Sequence, residues 1–383
     1  MEHALPQLRP PERLLCGPGP TNVDPAVLEA MTKPMLGHLD PELHEILLDV
    51  VDMLRRVYRM PDGLVLPLQC TGTAGMEAGI TNLLEFGDTV IVGQCGFFGR
   101  RIAEIARRHH AQVVTVDADW GESVSNDALM AALDRHPHAR MVAVVHAETS
   151  TGIEHPLAEL GAAMRDRDTL LMADCVTSLA GVPLEVGAWG VDFAYSCTQK
   201  CLAGPPGMSP VAVSDRAVER LRSRRTPVPF SFDLLLLEQY WVKRPVAYHH
   251  TAPILAIYAL HEALRCVLSE GLEERWERHA EAAAHLQAAV ESRGLALLAD
   301  PEHRLAPLTA VRVPEGVDGK AVQGRMLREH GIEIGGGLGP DAPAMWRIGL
   351  MGQNASVHTA DRVLSALDAV LAEQPAAIAV GAA

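Results

Sequence analysis

Between residues 64 and 214 the chain alternates short apolar runs with amphipathic stretches, and few architectures satisfy that rhythm. The runs are LVLPL (64–68), TVIVG (89–93), QVVTV (112–116), MVAVVH (141–146), LLMAD (170–174), DFAYS (192–196) and PVAVS (210–214). They are apolar on both faces and rich in β-branched residues, as in strands of a parallel or mixed sheet covered by helices on either side. The intervening stretches carry a helical period: Met76, Ile80, Leu83 and Leu84 recur at i, i+4, i+7 and i+8. The expected fold class is therefore α/β, with a mostly parallel seven-stranded sheet.

From about Ala256 the rhythm changes. A long helical pattern runs to Gly294 with a break expected near Gly271, because glycine ends helices readily. Then follow a strand LTAVRV (308–313), a helix over 319–330, an IEIGG turn, a strand WRIGL (346–350) and a final helix over 358–372. A length of 383 residues suits two domains. The division expected is an N-terminal arm (1–24), a large domain (25–270) and a smaller α+β C-terminal domain (271–383).

Composition narrows the partners. With 33 basic and 48 acidic residues the formal net charge is −15, unsuited to a phosphate-backbone partner. The basic run at Arg222, Arg224 and Arg225 reads as a solvated helix end, since no aromatic platform interleaves it. The seven cysteines are scattered and odd in number, with no C-x-x-C, so free thiols are expected rather than disulfides or a metal. MEHALPQLRPPERLL has no apolar leader core and no stretch is long enough for a membrane span. No nucleic acid, membrane or metal partner is expected, and the expected compartment is the cytoplasm.

Three features bear on chemistry. Thr71-Gly72-Thr73 follows a strand and opens a helix, where backbone N–H groups and hydroxyls suit a phosphate; an ordinary threonine cap would look the same. Asp174 ends the strand LLMAD, on the edge of an open α/β sheet where ligands bind. There it could pair with a cationic ring nitrogen, or simply cap a loop. Lys200 follows the next strand and precedes a Gly/Pro loop. A desolvated amine there could form an imine with an aldehyde, or be a salt-bridged strand-end lysine.

Taken together, these segments resemble the alanine–glyoxylate and serine–glyoxylate (serine–pyruvate) aminotransferases of class V, within the fold type I pyridoxal-phosphate enzymes. The resemblance runs through GPGPTNVDP (17–25), TGTAGMEA (71–78), GFFGRR (96–101), HAETSTGI (146–153), ADCVTSLAG (173–181) and YSCTQKCLAGPPG (195–207). It continues through PFSFD (229–233), YHHTAP (248–253), GGGLGP (335–340) and RIGLMGQNA (347–355), so it spans nearly the whole chain. It implies pyridoxal 5'-phosphate as cofactor, with Lys200 as the imine-forming lysine and Asp174 as partner of the ring nitrogen. Thr71, Gly72, Thr73 and Gln199 match positions around the phosphate. Thr149 matches a hydroxyl on the cofactor, and Val176 and Phe98 match residues on the two ring faces. Some relatives carry Trp at the Phe98 position; Phe still stacks. Tyr248 and Thr251 match residues reaching the neighbouring subunit's cofactor, which implies a homodimer. Arg347 matches the arginine gripping the substrate carboxylate.

The activity so implied is transfer of the amino group of alanine or serine to glyoxylate or a similar 2-oxo acid, by a ping-pong mechanism. The alternative within the family is an (S)-ureidoglycine–glyoxylate aminotransferase; Tyr248 and the GHLDP segment (37–41) are expected to shape the choice of donor. A cysteine desulfurase needs a reactive cysteine on a late loop, whereas Cys266 sits in a helical pattern. A nucleotide-dependent dehydrogenase needs a strand-led glycine fingerprint, and GPGPT at 17–21 is interrupted by proline. Adjacent His249 and His250 are expected to point apart, against a two-histidine metal site.

Overall fold

The computed structural model describes Leu5 and residues 7–373. Its central sheet has seven strands in the order Leu64–Leu68, Ser209–Val213, Phe193–Tyr195, Leu170–Asp174, Met141–Val145, Thr89–Gln94, Gln112–Asp117. Ser209–Val213 runs antiparallel to both neighbours, and the other pairings are parallel. Five of these strands are buried at every residue, which is why their sequences are apolar on both faces. Gln112–Asp117 forms one edge and is only partly covered, matching its Gln, Thr and Asp.

Strand LLMAD is found at its expected limits, but Ser214 leaves its strand. Its hydroxyl accepts the Ala217 N–H at 3.1 Å and caps the helix Asp215–Arg222 instead. The long C-terminal helical pattern divides at Gly271, where φ is +96°, into Ile254–Glu270 and Leu272–Ser292.

A second apolar core gathers Leu286, Val290, Val311, Met326, Trp346, Ile348, Leu364 and Leu367. It lies against a three-stranded antiparallel sheet in the order Leu308–Arg312, Met345–Gly349, Gly335–Gly336. The IEIGG segment, expected as a turn, supplies two short strands instead. Gly335–Gly336 pairs with Met345–Gly349, while Ile332–Glu333 runs parallel to Leu14–Leu15 near the N-terminus. That pairing joins residues more than 300 positions apart, which a local periodicity does not register.

From there the N-terminal segment crosses to the large sheet. Thr21 donates its N–H to Gln199 O at 3.0 Å and its hydroxyl to Met351 O at 2.9 Å, and Asp24 N–H reaches Ala203 O at 3.0 Å. It thus ties the second core to the loop carrying Lys200. Among the described residues no helix is long and apolar enough to cross a membrane.

Candidate active site

Parallel strands place the loops that follow them on one edge of the sheet. Here that edge collects Thr71–Thr73, Phe98, Thr149, Asp174–Thr177 and Gln199–Lys200. A cavity of about 230 Å³ is lined by Thr71, Gly72, Thr73, Phe98, Thr149, Asp174, Val176, Gln199 and Lys200, nine of the residues singled out in the sequence. Arg347 stands behind it, 6% exposed, donating Nη1–H to Thr149 O at 3.0 Å and Nε–H to Gly336 O at 2.6 Å.

Tyr248 and Thr251 do not join them. Tyr248 is 59% exposed, and Thr251 borders a separate cavity of about 220 Å³ with Phe230, His249 and His250. The histidine rings do not point apart as expected: their Nδ1 atoms approach to 2.7 Å. His249 stacks on Phe230 at 4.4 Å and meets Phe230 O through Nε2, which turns its ring back toward its neighbour. Tyr248 also meets His38 of the GHLDP segment, ring centroids 5.4 Å apart, so the two segments expected to influence donor choice are in contact. Among the described residues no cluster of three or more histidine, cysteine or acidic side chains could hold a metal.

The electrostatics of the cavity follow from burial. Desolvation lowers the pKa of the Lys200 amine, which favours the neutral nucleophile. Its Nζ donates to Pro18 O. Gly19, at φ +102°, passes so close that an added Cβ would lie 2.5 Å from Lys200 Cδ, so glycine alone lets the backbone cover the lysine. Burial pushes the Asp174 carboxyl up to about 6, opposed by hydrogen bonds from Tyr195 Oη at 2.6 Å and Val176 N–H at 2.9 Å. A cationic nitrogen facing Asp174 would stabilise its charged form.

The rest of the lining fits an anionic aromatic group. Thr71 caps the helix Gly72–Leu83 by accepting Ala74 N–H at 3.2 Å, while the Gly72 and Thr73 N–H groups have no intrahelical partner. Gly72 packs so tightly that a Cβ would lie 3.2 Å from Val176 Cγ2. Two buried polar atoms on the wall, Gln199 Oε1 and Thr177 Oγ1, have no partner among the described residues. A bound polar ligand would satisfy them.

Glu148 escaped the reading of the sequence. It is fully buried, and Oε2 accepts the N–H groups of Phe98 at 3.0 Å and Gly99 at 3.3 Å. Its Oε1 accepts Ser150 N–H at 3.0 Å and Ser150 Oγ–H at 2.6 Å, and Ser150 Oγ accepts Phe97 N–H at 2.8 Å. Glu148 and Ser150 therefore cap the helix Phe97–Arg108, whose own N-cap, Gly96, has no side chain to do so. They fix Phe98 at the cavity wall, while the carbonyl of Thr149 between them holds Arg347. The HAETSTGI motif contains these residues, but only the fold brings them to the helix start.

A model of the aminotransferase class-V family matches residues 14–359. An alanine–glyoxylate aminotransferase of Drosophila melanogaster is 39% identical over 363 residues, covering 94% of this chain and 92% of its own. An (S)-ureidoglycine–glyoxylate transaminase of Bacillus subtilis is 35% identical over 394 residues, covering 98% of this chain and 94% of its own. The crystal structure of an alanine–glyoxylate aminotransferase from Nostoc sp. superposes with a TM-score of 0.93 at 47% identity, covering 96% of this chain and 98% of that one.

Proposed function

The chain belongs to the class-V aminotransferases, and from that premise we propose that it is a pyridoxal-phosphate-dependent transaminase moving the amino group of alanine or serine to glyoxylate. The observation that carries this reading is the shared cavity of Lys200 and Asp174, with the Thr71-led helix start on the same wall. When bound, the cofactor supplies an aldehyde and a ring that accepts electrons from the donor's Cα.

The chain's own residues divide the work. Lys200 Nζ, its pKa lowered by burial, would hold the cofactor by its aldehyde and, once an amino donor has taken that place, would carry the donor's Cα proton to the carbon that the aldehyde supplied. Asp174 holds the ring nitrogen in its cationic form. Thr71, Gly72, Thr73 and Gln199 receive the phosphate. Thr149 contacts the cofactor, and Val176 and Phe98 enclose the ring and exclude water. Arg347 orients the substrate carboxylate. Glyoxylate then runs the same steps in reverse.

In this reading the site is shared in a homodimer, with Tyr248 and Thr251 reaching the neighbour's cofactor phosphate. The exposure of Leu39, Phe230 and Tyr248 supports an interface there. The seven cysteines are all free, which suits a reducing compartment such as the cytoplasm. Cys266 lies within the helix Ile254–Glu270, away from the cavity, which counts against desulfurase chemistry. The Bacillus subtilis relative favours one second reading, with (S)-ureidoglycine as donor.

The test adds alanine, serine and (S)-ureidoglycine one at a time to the holoenzyme and follows the cofactor absorption band. The true donor bleaches the band without any oxo acid, and glyoxylate restores it. Lys200→Ala should still bind cofactor but exchange at least about 10³-fold more slowly. Exchange at the parent rate would sink the assignment.

A further inference from the structure

The residues proposed to receive the phosphate are all neutral, yet a phosphate ester carries a charge of roughly −1.5 to −2 at neutral pH. Among the described residues lining the cavity, Lys200 is the one cation, and it is committed to the aldehyde end. Another basic group stands just behind the cradle. Arg101 donates Nη1–H to Thr73 Oγ1 at 3.1 Å. Its guanidinium lies 4.7 Å from the Phe97 ring centroid and 5.2 Å from that of Phe98.

Helix geometry explains both contacts. Arg101 follows Phe97 by four residues and Phe98 by three, so the side chains share one face of the helix Phe97–Arg108. The Glu148–Ser150 cap fixes where that helix starts. Arg100, one residue earlier, faces elsewhere and pairs with Asp341 at 3.2 Å. Among the described residues no carboxylate lies within ion-pair distance of Arg101, although the chain has a large acidic excess. A threonine hydroxyl that accepts from a guanidinium keeps its own hydrogen free to donate onward. Such a chain polarises the terminal donor.

We infer that Arg101 is the charge-balancing residue of the phosphate site, acting through Thr73 while its guanidinium covers the Phe98 ring. The inference rests on the cofactor reading above. It assigns Arg101 a positioning and electrostatic role, with no part in proton transfer.

Comparing pyridoxal phosphate with pyridoxal, which lacks the phosphate, separates this role from simple support of Phe98. Apo-protein is titrated with each compound, and binding is followed by absorbance and by trapping on Lys200 with borohydride. Arg101→Gln should weaken pyridoxal phosphate roughly tenfold or more, the scale of one charge-assisted hydrogen bond, and pyridoxal less than about twofold. Arg101→Lys keeps the charge and should recover part of the loss, which guards against misfolding of the glutamine variant. Adding Arg101→Gln to Thr73→Val should cost little more than Thr73→Val alone, because Arg101 acts through the hydroxyl that valine removes. Equal losses for both compounds, or none for either, would overturn the inference. A parent protein that bound neither compound would overturn the cofactor reading, and this inference with it.

Discussion

Around Lys200 each side chain hangs from the end of a buried strand or the start of a capped helix, whereas Tyr248–Thr251 lies in irregular chain with Tyr248 largely exposed. Asp174 has two hydrogen-bond donors, Arg347 two carbonyl acceptors, and Phe98 a helix start held by Glu148. The groups proposed to carry the chemistry are thus held in place by the chain's own contacts. The outlying segment is held mainly by aromatic contacts among Phe230, His249, His38 and Tyr248. In the proposed homodimer its target is a second copy's cavity, so its placement waits on association.

The largest effect comes from breaking that division directly. A Lys200→Ala chain and a Tyr248→Ala/Thr251→Ala chain are each impaired alone. Mixed dimers hold one cavity with an intact lysine and an intact outlying segment, and should recover roughly half the parent activity per dimer. Activity that never rises above the separate variants would show that one chain supplies everything.

A smaller effect tests the prearranged side. Arg347→Lys loses the planar fork that reaches two carbonyls and that, in the proposed function, also orients the substrate carboxylate. KM for both the amino and the oxo acid should rise roughly ten- to hundredfold, with kcat changed less. A change confined to kcat would place Arg347 in the chemistry rather than in binding.

A third effect, on stability rather than activity, concerns the support beneath the site. His279 is fully buried, its Nδ1 faces Arg275 O at 2.8 Å, and its Nε2 accepts Gly352 N–H at 3.0 Å. Only the neutral ring satisfies both contacts, and burial lowers its pKa from 6.5 to about 3. The unfolded chain therefore binds the extra proton first. The stability this group contributes is complete above pH 6.5 and falls as pH drops toward 3, by about 1.4 kcal/mol per pH unit. His279→Asn should flatten that acid slope in denaturant titrations; an unchanged slope would assign it to other buried histidines such as His146 and His155.

The two regions also differ in how far they could be read from the chain. Strand LLMAD and the helix Gly319–His330 appear at their expected limits, because burial on two faces and a helical period are local patterns. Asp174 and Lys200 inherit their position from those strands, so they too could be placed. Glu148, Arg101, Thr177 and Gly19 could not, since each matters through a neighbour distant in sequence. Glu148 reaches a helix 50 residues earlier, and Gly19 covers a lysine 181 residues later. The histidine pair misled for the same reason: Phe230, 19 residues upstream, sets the direction of the His249 ring.

The N-terminal strap has a consequence for biosynthesis. Leu14 and Leu15 wait for Ile332 and Glu333, and the Thr21 hydroxyl waits for Met351. A growing polypeptide emerges with Pro18 and Gly19 ready, but the anchors that hold them over Lys200 leave the ribosome last. Until then the lysine lacks its cover and Arg347 does not yet exist. A polypeptide cut short before Ile332 would carry Lys200 without the anchors that hold Gly19 over it.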